Sequence, residues 1–187
     1  LDLNIKKYRL SKLLNADSIV SEFLKTKLLF NENISALTSI GIDSHTNNTF
    51  FDSSLINFRI VGDKINFNGT KFINKDIGFL KVNSSNLFFE NDKLFLNADL
   101  LIDIKDINNL FSSFQTPKKN RKLFKKIFIN LDYNFETKQI ILNSINMNGK
   151  NNNNSVKEII NEFNDIEDYN SNRIRRIFNK LFATYEG

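Results

Sequence analysis

Between Asn33 and Met147 apolar and polar residues alternate with period two, the spacing that sends successive side chains of an extended chain to opposite faces of a sheet. The longest run is Leu94, Leu96, Ala98, Leu100, Ile102 and Ile104, with Lys93, Asn97, Asp99 and Asp103 facing the other way. The same pattern sets Ile127, Ile129, Leu131, Tyr133 and Phe135 against Asn130, Asp132 and Asn134. It also sets Ile34, Ala36, Thr38, Ile40 and Ile42 against Ser35, Ser39 and Asp43. Shorter versions occur at Leu1, Leu3 and Ile5, at Ile56, Phe58 and Ile60, at Ile65 and Phe67, at Ile77 and Phe79, and at Leu87 and Phe89. The alternation thus predicts about eight or nine strands, each with one apolar and one polar side.

The links between these runs are short and polar: Val61-Gly62-Asp63-Lys64, Asn68-Gly69, Lys75-Asp76, Glu90-Asn91-Asp92-Lys93 and Glu136-Thr137-Lys138. Short links join antiparallel neighbours, so the expected fold is mainly β with added helices (α+β). Its centre is a curved antiparallel β-sheet or groove of about eight to nine strands. Residues 1–150 form this β-groove domain, and residues 151–187 form a helical C-terminal tail.

Helical spacing appears in three places. Ile19, Val20, Phe23 and Leu24 form one stripe within 17–27, with Asp17 as N-cap, and the alternative for this segment is an irregular strand. Ile107, Leu110, Phe111 and Phe114 form a second, stopped by Pro117. In the tail, Ser155 and Glu158 have the capping-box spacing ahead of Val156, Ile159, Ile160 and Phe163. A polar break over 164–172 separates that stripe from Ile174, Ile177, Phe178, Leu181, Phe182 and Tyr185, with Arg173, Arg175, Arg176 and Lys180 outside it. The run from Asn148 to Asn154 is a low-complexity linker.

Composition narrows the chemistry. The chain of 187 residues has no Cys, no Trp and a single His, so disulfides, thiolate metal sites and cysteine nucleophiles are excluded. His45 sits in a polar turn-like run and reads as a lone surface side chain. Asp99 and Asp103 lie on the wet side of a strand, where they read as solvated charge rather than as a catalytic or metal-binding pair. Glycine-rich phosphate cradles and the usual nucleophile and zinc spacings are missing, which points to a non-enzyme without a cofactor. The 31 Asn, against 4 Ala and 1 Pro, reflect an AT-rich genome more than a function. No run approaches the roughly 18 apolar residues of a membrane span. The start at Leu1 is neither a signal peptide nor a methionine start, so the chain reads as a piece of a longer protein.

The net charge of +5 is modest, and its densest part is Lys118, Lys119, Arg121, Lys122, Lys125 and Lys126. With Phe111, Phe114, Phe124 and Phe128 nearby, this cluster could bind single-stranded nucleic acid, bases stacking on rings over a cationic groove. The favoured reading is a solvated loop entering a strand, and in a third reading Arg121, Lys122, Lys125 and Lys126 meet anionic lipid headgroups.

The apolar side of the sheet is the larger question, because it must be buried and three short helices cover only part of it. Either the sheet closes into a sandwich or barrel, or it forms a trough occupied by a partner or a lipid. In the trough reading Phe67, Phe79, Leu87, Phe89, Leu96, Leu100, Ile102, Leu131 and Tyr133 line a face that holds acyl chains.

The order of pieces resembles the C-terminal region of AsmA-like proteins, the group that includes TamB and YhdP. The resemblance rests on Ile65 to Phe72, Asp76-Ile77-Gly78, Ser84 to Leu96, then Arg121-Lys122 and Lys125-Lys126-Ile127 leading into Ile129 to Phe135. It ends on Asn172-Arg173 and Leu181 to Gly187. It covers about Lys64 to Gly187, through diffuse alternation and without a catalytic motif. It implies a periplasmic segment of an alphaproteobacterial, Gram-negative envelope protein, anchored to the inner membrane by an N-terminal part outside this sequence. Phospholipid or another membrane lipid is then the expected ligand, carried between inner and outer membranes or used in outer-membrane assembly with envelope protein partners. A nucleic-acid module through 118–126 and a purely structural β-module are the competing readings.

Overall fold

The computed structural model describes residues 1–6, 19–44, 50–149 and 154–185; His45 and the N-cap expected at Asp17 lie outside the described residues. The described elements are β1 (Asp2–Ile5), α1 (Ile19–Lys25), β2 (Ser35–Ile42), β3 (Ser53–Val61), β4 (Lys64–Asn66), β5 (Lys71–Asn74), β6 (Gly78–Glu90) and β7 (Lys93–Ile104). They continue with α2 (Ile107–Ser113), a 3₁₀ turn (Lys118–Asn120), β8 (Lys126–Asn134), β9 (Gln139–Met147), α3 (Asn154–Asn164) and α4 (Ser171–Thr184). All nine strands belong to one sheet in the order β1-β2-β3-β4-β6-β7-β8-β9, with β5 between β3 and β6. The chain is therefore mainly β with helices added, as the alternation predicts.

Two features depart from a plain antiparallel meander. β1 runs parallel to β2, because the connection between them is a long crossover that includes α1 rather than a tight turn. And β4 and β5 are two halves of one interrupted strand, each paired to β3 on one side and β6 on the other. In the gap the Thr70 hydroxyl accepts from the Asn57 N–H at 2.9 Å and donates to the Asn57 carbonyl at 3.2 Å, serving the backbone group that no strand reaches.

Two β-bulges, each with an extra asparagine, change which residues share a face. In β6 the register against β7 shifts between Val82 and Ser84, leaving Asn83 unpaired. In β9 the register against β8 shifts at Asn130/Leu131, leaving Asn143 unpaired. Leu80 and Val82 therefore share a face with Leu87 and Phe89, although their sequence parity differs. The two short strands expected at Ile77/Phe79 and Leu87/Phe89 are parts of this one strand of 13 residues. Ile77 lies in the turn before it.

The helices share cores with the sheet. One cluster joins Ile104, Ile127, Leu142, Ile145 and Met147 to residues of α2, α3 and α4, with Phe182 fully buried at its centre. A second joins Leu24 of α1 to Ile60, Ile65, Leu87, Leu94 and Phe135. Ile65 and Leu94 are 0 % exposed, and burying a side chain of this size contributes about 1.5–3 kcal/mol. Residues 154–185 are thus packed on the sheet as part of its core. Capping follows short polar side chains: Asp106 accepts from the N–H groups of Asn108 and Asn109 at α2, and Asn170 from that of Arg173 at α4. Ser155 lies inside the first turn of α3, so it is not the N-cap expected from its spacing to Glu158; the residue before Asn154 lies outside the described residues.

The opposite face carries a polar ladder. Ser84 and the Asn130 amide donate to Asp99, and the Asn143 amide donates to Asn130 Oδ1 at 2.9 Å and to Asp132 at 2.7 Å. The Asn97 amide donates to the other oxygen of Asp132 at 2.7 Å. The hydrogen bonds from Ser84 and then Asn130 hold the Asp99 carboxyl below its ordinary value, against a smaller opposing effect of burial. The same face also carries Phe88 and Phe95, stacked at 5.8 Å, and the exposed Leu37, Leu55, Ile73 and Ile141.

Candidate functional site

Cross-strand register arranges the apolar face in rows that run across the strands. One row is Ile42, Ser54, Phe72, Leu80, Ile102, Ile127 and Met147; the next is Ile40, Ile56, then Val82, Leu100, Ile129 and Ile145. Further along, Ala98 is flanked by Ser85 and Leu131, and Leu96 by Leu87 and Tyr133. The first cluster covers the β7 to β9 end of the first two rows, and the second covers the far rows from β3 to β8. Between them runs a strip that belongs to neither cluster, in which Ile42, Ile56, Val82 and Ala98 are buried and Ile40, Phe72, Leu80, Leu100 and Leu131 are half-buried. Phe72 continues into a chain of rings, with Phe51 at 5.5 Å, Phe50 at 5.3 Å from Phe51, and Phe114 at 6.0 Å from Phe50.

Of the residues expected to line a groove, Leu100 and Leu131 lie in this strip. Ile102 sits beside it against the first cluster, and Phe67, Phe89, Leu96 and Tyr133 pack half-buried on the second. Phe67 lies 5.4 Å from Phe58, Phe89 lies 5.0 Å from Phe30, and Tyr133 lies 4.8 Å from Phe135. Two residues do not fit. Leu87, at 1 % exposure, is sealed in the core and cannot touch a ligand. Phe79 is on the polar face opposite Asp103 and Ile73, with the Lys71 ammonium 5.2 Å from its ring. The bulge at Asn83 is the cause, since it inverts the parity that the alternation carries from Phe79 to Leu87. Ile40, Phe72 and Leu80 complete the strip; Ile40 stands in the period-two pattern, whereas the interrupted strand and the bulge hide the other two.

The basic cluster lies on the loop that leads into β8. Arg121 donates through Nε to the Thr116 carbonyl at 3.0 Å, and its guanidinium lies 6.0 Å from the Phe111 ring. The N–H groups of Lys125 and Lys126 both donate to Asn148 Oδ1, at 2.9 and 3.1 Å. Lys125 and Lys126 are exposed, and Lys122 is half-buried. Beside them a cleft of about 640 Å³ is floored by Ile104, Ile107, Phe124 and Phe128 and edged by Lys105, Lys125 and Lys126. Phe111 and Phe124, two of the rings expected to stack on bases, are 2 % and 3 % exposed and belong to the core.

No described helix is long and apolar enough to cross a membrane. Comparison with known proteins finds no match to any family model, curated protein or solved structure.

Proposed function

We propose that this chain is a non-enzymatic lipid-binding segment whose apolar strip holds the acyl chains of a phospholipid or similar membrane lipid. The observation that carries the reading is the strip itself: Ile40, Phe72, Leu80, Leu100 and Leu131, half-buried between two sealed clusters on one face of a nine-stranded sheet. An acyl chain laid there gains about 0.8 kcal/mol for each CH₂ removed from water and needs no specific polar partner. Such recognition depends on apolar area and shape, which accounts for a site without a sharp motif. The resemblance to AsmA-like proteins supports the same reading. In that setting the segment belongs to an envelope protein anchored to the inner membrane, and it passes lipid toward the outer membrane or serves its assembly.

Nucleic-acid binding through 118–126 has the cations, but two of its four expected rings, Phe111 and Phe124, are occupied in the core. Titration of the delipidated chain with a fluorescent fatty acid tests the proposal. Saturable uptake, displaced by phospholipid and abolished in Leu100→Asp and Leu131→Asp, is expected. Absence of uptake by the wild-type chain removes lipid carriage and leaves a structural β-module.

A further inference from the structure

The loop between α2 and β8 combines two properties found together nowhere else among the described residues. Between positions 118 and 126 it carries six cationic side chains and no carboxylate. At its centre Leu123 is 81 % exposed, more than any other large hydrophobic residue described. Single exposed leucines are ordinary on protein surfaces, but this one forms the lip of the 640 Å³ apolar cleft floored by Ile104, Ile107, Phe124 and Phe128.

Its exposure is built in. The next residue, Phe124, is 3 % exposed and packs against Phe111, Phe182 and Tyr185, with ring centroids 5.3 to 6.0 Å apart. Arg121 is tied to the Thr116 carbonyl on one side, and the backbone of Lys125 and Lys126 to Asn148 on the other. Anchors on both sides therefore hold Leu123 out in water. Lys118, Lys119, Lys122, Lys125 and Lys126 form no ion pair with another described residue.

We propose that this loop docks the protein on the surface of an anionic lipid bilayer, with Leu123 entering the acyl region and the surrounding cations lying among the headgroups. Charge complementarity selects the partner: unpaired lysines around an aliphatic tip match a negatively charged surface with a hydrocarbon layer beneath it. A nucleic acid offers the charge but nothing for an exposed leucine, and two of the four rings expected to stack on bases, Phe111 and Phe124, are in the core. The loop enters β8 at Lys126, one residue from Ile127, which shares a row with Leu80 and Phe72. Docking stands independently of what the strip holds.

The chain contains no tryptophan, so Leu123→Trp is a unique fluorescent reporter at an exposed site. With vesicles of phosphatidylcholine and phosphatidylglycerol its emission shifts to the blue and is quenched by lipids brominated on their acyl chains. Vesicles of phosphatidylcholine alone give a much smaller response, and raising the salt from about 0.05 to about 0.5 M weakens binding. In sedimentation with the anionic vesicles Leu123→Asp lowers partitioning about tenfold relative to the wild-type chain. Emission unchanged by anionic vesicles, Leu123→Asp binding as well as wild type, or a response to single-stranded DNA in place of vesicles overturns the proposal. A chain that docks but takes up no fatty acid contradicts only the strip reading, and one that takes up fatty acid without docking contradicts only this one.

Discussion

The side-chain amide of Asn164 meets the backbone of Leu142 twice: its Oδ1 accepts from the Leu142 N–H at 2.7 Å and its Nδ2 donates to the Leu142 carbonyl at 3.1 Å. Two residues back along β9 the Tyr169 hydroxyl does the same for Ile140, at 3.0 Å to each group. The last residue of α3 and Tyr169 in the link to α4 thereby stand in for a tenth strand along an edge that would otherwise template association. Asn164→Ala should cost about 1–3 kcal/mol by leaving both Leu142 groups without partners. It should also make the chain self-associate with rising concentration. Urea unfolding and analytical ultracentrifugation check the two effects, and unchanged behaviour in both refutes the capping role.

Gly78 opens β6 with φ +145°, a conformation that side chains other than glycine rarely adopt. A Cβ built there would lie 2.1 Å from the Asp103 carbonyl oxygen, on backbone that cannot yield cheaply. Gly78→Ala should therefore separate the start of β6 from the end of β7 and lower stability by more than about 1 kcal/mol. Faster amide exchange at Lys105 and Asp106, whose N–H groups both donate to the Ile77 carbonyl, would locate the damage.

Glu162 of α3 receives a hydrogen bond from Lys180 of α4 and lies 3.0 Å from Arg176. The Lys180 hydrogen bond, opposed by burial and aided by the charges of Lys180 and Arg176, holds its carboxyl below the ordinary value. Because the folded value is the lower one, the pair stabilises the fold above the ordinary carboxylate range, and that contribution is lost as pH falls through the lowered value. Exposed partners limit it to about 0.2–1 kcal/mol. Thermal unfolding of Glu162→Gln should be less sensitive to acid than that of the wild-type chain; parallel pH profiles contradict the assignment.

The two faces of the sheet give a sharper contrast. Leu87→Ala empties a site sealed by its neighbours and should cost about 2–5 kcal/mol. Phe79→Ser, on the polar face, should cost under about 1 kcal/mol, since it removes a partly exposed ring and its contact with Lys71. Comparable losses in the two variants would mean that Phe79 faces the core after all.

That pair also marks how far the sequence could be read. Uninterrupted alternation, as in Leu94 to Ile104 and Ile127 to Phe135, places every side chain on its observed face. Alternation interrupted by one unpaired residue does not, because a bulge inverts parity without changing composition; Asn83 and Asn143 look like any other of the 31 asparagines. Ile140, Leu142, Ile145 and Met147 share a face only because of the second bulge, which is why β9 is faint in the pattern. The parallel placement of β1 depends on a contact between distant segments that no local spacing encodes. Three of the five strip residues follow the alternation for the same reason, Ile40, Leu100 and Leu131 on regular strands, whereas Phe72 lies on the broken strand and Leu80 on the wrong side of a bulge.

Native mass spectrometry of the wild-type chain purified from membranes without delipidation tests the lipid reading most directly, with Leu100→Asp as its partner measurement. The account predicts wild-type peaks displaced by the mass of bound phospholipid or fatty acid, and loss of those adducts in a Leu100→Asp chain that retains its circular dichroism. A wild-type chain free of lipid, or adducts that persist when a carboxylate occupies position 100 of a folded chain, contradicts it.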